Sequence, residues 1–204
     1  MEEKKYKLTE ESISFNGRTL YRIVAIRDFS TIKKGDKGGF IETESNLSHD
    51  GDAWISGNAK VTDNAIVYDS AMVYGDANVY GHAEVFGHAK VYGYAQVYGH
   101  AEVFDHASVS DNAWVYGHTY VFCNANISGT AKVFGNARVY CHSKVCGNAI
   151  VFGNANISGN AWVSDNARVF GNALVYGNAN VCGYAHIDDN VMKKFVHTFK
   201  TLYN

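Results

Sequence analysis

Histidine and glutamate recur at a fixed spacing in the middle of this chain. His82-Ala83-Glu84-Val85-Phe86-Gly87-His88 returns 18 residues later as His100-Ala101-Glu102-Val103-Phe104-Asp105-His106. If Ala-x-Val alternates as a short strand, His82 and Glu84 point outward together, and so do His100 and Glu102. Two imidazoles and two carboxylates on one surface are a donor set for a divalent cation such as Zn²⁺, so His82, Glu84, His100 and Glu102 are candidate ligands. Without a cation the stacked carboxylates repel, which raises the pKa of one of them. The plainer reading is that His tolerates a corner conformation and Glu is a solvated strand residue. A second cluster joins Cys123 and Cys141, equivalent positions 18 apart, with His142 and His106 nearby. It suits a disulfide, a thiolate–imidazole metal site, or two small free thiols standing where Gly usually stands. Cys146 and Cys182 are two such periods apart and should not pair.

The element that must position these groups is a six-residue repeat. From Ala53 to Ala185 there are 23 hexads without insertion or deletion. The first position is Ala except at Thr119 and Ser143, and the third is Val or Ile in all 23. The fifth is Gly in 15, Asp in six, and Cys at Cys123 and Cys141. Small and aliphatic residues therefore face inward with a variable residue between them. Gly and Asp supply the positive φ of a turn. Ile41 and Leu47 extend the same phase upstream. A strand this short with a corner every six residues makes a coil whose strands stack in parallel, roughly 4.8 Å apart.

The fourth positions give the number of sides. Sorted by a period of 18, Tyr80, Tyr98, Tyr116, Phe134, Phe152 and Phe170 form one column. Tyr68, Phe86, Phe104, Phe122, Tyr140, Ser158 and Tyr176 form a second, while the third is mostly Ser and Cys beyond Tyr92. Such segregation means that residues 18 apart are neighbours and that three hexads close one triangular coil. The expected fold is all-β: a parallel β-helix prism of about eight coils, stabilised by nearest-neighbour stacking. All six repeat histidines fall on two corners, which flank the column Ile66, Glu84, Glu102, Tyr120, Arg138, Asn156 and Leu174. Both aromatic ladders border that same column.

The ends break the hexad. Ser12–Phe15 and Leu20–Ile26 alternate as strands around Asn16-Gly17, a strong hairpin signal. Residues 1–40 are expected to be a β-hairpin cap, residues 41–190 the β-helix, and residues 191–204 a short capping helix with Val191, Phe195, Val196, Phe199 and Leu202 on one face. Capping hides strand edges that otherwise invite aggregation.

Composition excludes several partners. The formal net charge is −2, which removes the surplus of Lys and Arg that phosphate contacts need, so no nucleic acid is expected. No apolar run approaches the roughly 20 residues of a membrane span. Met1 to Lys5 lacks the apolar stretch of a secretory signal, and four cysteines are too few for a disulfide scaffold. A cytoplasmic protein is the expectation.

The chain resembles the hexapeptide-repeat superfamily. Val175-Tyr176-Gly177-Asn178-Ala179 and Val163-Ser164-Asp165-Asn166-Ala167 fit its aliphatic-x-x-x-small-x pattern. Arg27-Asp28-Phe29, with Lys34-Gly35-Asp36-Lys37-Gly38-Gly39-Phe40-Ile41-Glu42, is similar to the N-terminal signature of bacterial and phage members that often carry a transferase label. The resemblance implies a left-handed coil, and a homotrimer with sites between prisms. It also implies acyl transfer from an acyl-CoA thioester, with His100 or His106 beside Glu102 as general base. The family's carbonic-anhydrase branch would assign a shared metal to His82 and His118 near Cys123. This sequence lacks the loop that such enzymes extrude from the coil. The first expectation is therefore a non-catalytic rigid scaffold that self-associates or binds a protein partner through its aromatic ladders. The acyltransferase is the alternative, and no cofactor is required by the first reading.

Overall fold

Hexads repeated without interruption leave each coil one way to bury its Val and Ala, against the same residues of the next coil. The computed structural model, which describes residues 4–188, shows this stacking throughout. Each Ala-x-Val contributes a two-residue rung, and rungs 18 residues apart pair in parallel, as Glu84 with Glu102 and Val85 with Val103. The rungs form three sheets of 11, eight and seven strands. They are called here the cap face, the Trp54 face and the Glu84 face. The Val and Ala side chains run up the middle as one core, nearly all at 0 % exposure. Burying each Val is worth roughly 1.5–3 kcal/mol, but only if a neighbouring coil is present to bury it.

The backbone accounts for its polar groups coil by coil. In the hexad Ala59–Asn64, Lys60, Thr62 and Asn64 donate their N–H to Ala77, Val79 and Gly81 of the next coil, at 2.9, 3.0 and 2.9 Å. Ala65 closes the corner by donating to the Thr62 carbonyl. This pattern explains the two polar residues in the Ala column. Thr119 and Ser143 are fully buried, and each hydroxyl donates to the carbonyl three residues earlier, Tyr116 and Tyr140, at 2.7 Å. The hydrogen bond within the corner offsets the desolvation cost of burying each hydroxyl.

Corner chemistry follows φ. Among the described residues the fifth positions lie at positive φ, including Asp63 at 59°, Asp111 at 58°, Cys123 at 58° and Cys141 at 61°. An L side chain there is strained, and Asp offsets the strain with a bond to the coil above: Asp111 Oδ2 accepts the Gly129 N–H at 2.9 Å. Cys123 and Cys141 lack a carboxylate to do so.

At the N-terminal end, β1 (Tyr6–Phe15) and β2 (Arg18–Ala25) pair antiparallel around Asn16-Gly17, with φ of 50° and 78°. β1 begins at Tyr6, earlier than the alternating stretch suggested, and shifts register between Leu8 and Ser12. β3 (Lys37–Ile41) pairs antiparallel with β2 and parallel with the Lys60–Val61 rung, so the hairpin continues the cap face without a break. Gly38 and Gly39 permit this approach: a Cβ on Gly38 would meet the Ile23 side chain at 2.4 Å, and one on Gly39 the Ala59 carbonyl at 2.6 Å.

One expectation about phase is corrected here. Ile41 pairs with Val61 and Leu47 with Val67, so both occupy the Val slot rather than the Ala slot. Eight residues separate Leu47 from the next Val-slot residue, Ile55, instead of six, which places two extra residues in the first corner. Lys5 fills that widened corner. It is fully buried, and its ammonium donates to the carbonyls of Asp50 and Gly51 at 3.3 and 3.1 Å. Burial lowers its pKa to about 8. The expected helix at 191–204 lies outside the described residues.

Candidate functional site

The Glu84 face lies between two corners that carry stacked rings. On the corner that precedes it, the rings of His82, His100 and His118 stack at 4.8 Å, with planes within 6° of parallel. On the corner that follows, His88 and His106 stack at 4.9 Å. Asn124 separates His106 from His142 in that column. The aromatic columns stack likewise. Tyr80 through Phe170 keeps ring centroids 4.7–5.2 Å apart. Tyr68 through Tyr140 keeps 4.8–5.0 Å. Identical rings one coil apart adopt one rotamer and stack offset, an arrangement worth about 0.5–1.5 kcal/mol per pair beyond area burial.

A second spacing governs what covers the outward residues. The fourth-position side chain lies over the outward residue 16 places later. Tyr68 donates to Glu84 at 2.9 Å and Tyr80 to Gln96 at 3.3 Å. The Tyr98 ring meets Trp114 edge-on at 6.4 Å, and the Arg168 guanidinium sits 5.8 Å from the Phe152 ring. Where the covering residue is Cys146 or Ser158, the outward residue is bare. Trp162 lies beneath Cys146, to whose Sγ its indole N–H donates, and is 48 % exposed; Leu174 lies beneath Ser158 and is 39 % exposed.

Electrostatics follow from this covering. The Glu102 carboxyl is pushed above the usual carboxylate range, first by burial and then by the Glu84 charge one coil away. Burial, with Tyr80 and Tyr116 on either side, pushes the Tyr98 hydroxyl up to about 12. The Tyr68 hydroxyl is raised by burial and by its bond to Glu84. Further along the face, the Arg138 guanidinium lies 5.6 Å from the Tyr120 ring.

The structure thus brings Glu84 and Glu102 together, with His100 on one border of their face and His106 on the other. Glu84 turns toward Tyr68, and the imidazoles lie ring on ring rather than converging on a point. Among the described residues, no group of three or more His, Cys, Asp and Glu converges as metal ligands would. Cys123 and Cys141 lie on adjacent coils and Cys146 and Cys182 two coils apart, all four as free thiols. Cys123 is tied to the coil below through its N–H, which Asp105 Oδ2 accepts at 3.1 Å.

One feature was not read from the sequence as a site. A surface cavity of about 380 Å³ opens on the Glu84 face, lined by Tyr140, Asn156, Ser158, Leu174 and Tyr176. Its signal was the single serine in the Tyr68–Tyr176 column. A second hollow, of about 440 Å³, lies on the cap face between Thr130, Lys132, Asn148 and Ile150.

Fold and surface together define a parallel β-solenoid repeat protein. Residues 161–177 and 167–183 match the model of a family described as YdcK Beta solenoid repeat, so the chain is similar to that repeat over residues 161–183. No curated protein matches the chain. No helix among the described residues is long and apolar enough to cross a membrane.

Proposed function

We propose that this protein is a non-catalytic rod of the cytoplasm whose Glu84 face docks a second copy, with three prisms the favoured assembly. The carrying observation is that the Tyr68–Tyr140 ladder lies over this face and the Tyr80–Phe170 ladder runs along the corner it shares with the cap face, five and six consecutive rungs that stand only part-buried on a single chain. Flat apolar strips of this kind lose little conformational entropy on association, since stacking already fixes their rotamers. Light scattering across a concentration series tests the reading. A mass above the 22.4 kDa of one chain is expected, falling to that of one chain when Phe104 and Tyr98 are both changed to Ser. A strict monomer at every concentration contradicts it.

A catalytic reading draws support from one observation: the raised carboxyl of Glu102 stands between two stacks of imidazoles. In that reading an intersubunit groove holds an acyl-CoA thioester, and His100 or His106 deprotonates the acceptor. Turnover of an acyl thioester that is lost in His100→Ala and in Glu102→Ala would favour it over the scaffold.

A further inference from the structure

We propose that the cavity at Ser158 is a binding slot for one planar aromatic ring carrying a hydrogen-bond donor, of the phenol or indole class. This goes beyond docking of a second copy, because it concerns a small ligand; the slot lies on the same face and shares Tyr140 with its ladder, so it is read on the Phe104→Ser, Tyr98→Ser chain as well as on the parent, which keeps its failure distinct from failure of the docking proposal. Tyr140 stacks on Phe122 at 4.9 Å, and the next aromatic residue of the column is Tyr176, two coils on. Two coil spacings amount to roughly 9.6 Å. A single ring placed midway restores the spacing that the ladder keeps everywhere else. Among the described residues, Ser158 is the one small fourth-position residue with an aromatic residue on both sides in its column. The other small ones, such as Ser110, Ser128 and Ser164, have at least one small neighbour.

The walls suit such a ring. Leu174, which Ser158 fails to cover, gives an apolar base at 39 % exposure. Asn156 Nδ2 is committed to the Asn154 carbonyl at 3.0 Å, so the amide oxygen is its acceptor for a donor on the ligand. The Ser158 hydroxyl supplies a second polar group to the lining. The slot thus combines two stacking faces, an apolar base and convergent polar groups, as small-molecule sites do.

The test uses the full chain with indole and 4-methylphenol as probes and cyclohexanol as the saturated control, titrated by NMR shift perturbation. Both aromatics should bind with a Kd of roughly 1 mM or tighter, and cyclohexanol at least about tenfold more weakly. Ser158→Phe supplies the missing rung covalently and should abolish binding while leaving the circular dichroism unchanged. Tyr140→Leu, which removes a rung without filling the slot, should weaken binding about tenfold and serves if the first variant does not fold. Ser158→Ala should bind within about threefold of the parent. No saturable shift with either aromatic, equal binding of cyclohexanol, or binding that survives both Ser158→Phe and Tyr140→Leu would overturn the proposal.

Discussion

Trp54 and Trp162 stand at the same position of the hexad on the same face, six coils apart, yet Trp54 is 1 % exposed and Trp162 48 %. The repeat points both outward. What differs is the cover. Phe29 and Tyr6 of the N-terminal hairpin region pack edge-on against Trp54 at 5.4 and 6.4 Å, whereas Trp162 meets only the thiol of Cys146 from the column that should cover it. The cap is held by individual pairings, such as Arg22 bound to Glu11 and set over the Phe40 ring at 4.1 Å. The prism is held by one interaction copied many times. Periodicity therefore decides direction, and non-periodic neighbours decide burial.

The largest effect is expected at Trp54. Trp54→Ala empties the joint between cap and prism and should cost about 3–5 kcal/mol in urea unfolding. A loss below about 1 kcal/mol would mean that the cap does not depend on this contact. Next comes a corner. Gly117 has φ of 79°, and a Cβ there would meet the Gly135 carbonyl at 2.8 Å. Gly117→Ala should cost about 1–3 kcal/mol by thermal melting, whereas Asp111→Gly, which removes strain and a hydrogen bond together, should stay within about 1 kcal/mol.

A smaller effect concerns pH. The pKa of Glu102 is raised in the folded state, so the folded chain binds more protons than the unfolded one across the window from the ordinary Glu range up to the raised value. Stability from this group is therefore lost as pH rises through that window. Glu102→Gln should remove this part of the pH dependence and leave the chain at least as stable as the parent at neutral pH, measured by denaturant titration at several pH values. The smallest change is Trp162→Ala, within about 0.5 kcal/mol of the parent by the same urea experiment. A cost comparable to that of Trp54→Ala would show that exposure on the single chain does not describe Trp162 in solution.

These contrasts also explain what could be read in advance. The rung, the corner, the three sides and both ladders follow from residue type at fixed spacing, because each coil repeats its neighbour's environment. Stacking of His82 on His100 and repulsion between Glu84 and Glu102 come from the same arithmetic. The two extra residues before Ile55 and the burial of Lys5 were hidden, since they depend on how the hairpin folds back onto the first corner. The 16-residue covering relation was hidden for a different reason. It joins a corner side chain to the face of the next coil, so it appears only once the coil's geometry is known. Without it Ser158 looks like a lapse in the ladder, and Leu174 like an ordinary surface leucine.

The claim that the ladder-bordered face is the docking surface is tested most directly by disulfide trapping between copies. In a background of Cys123→Gly, Cys141→Gly, Cys146→Ser and Cys182→Ser, single cysteines replace Glu84, Glu102, Lys90 or Lys144, and cross-linked dimer is quantified under mild oxidation. Cross-linking at positions 84 and 102 that far exceeds that at 90 and 144 is the predicted result. Cross-linking mainly at 90 or 144, or at none of the four, contradicts it.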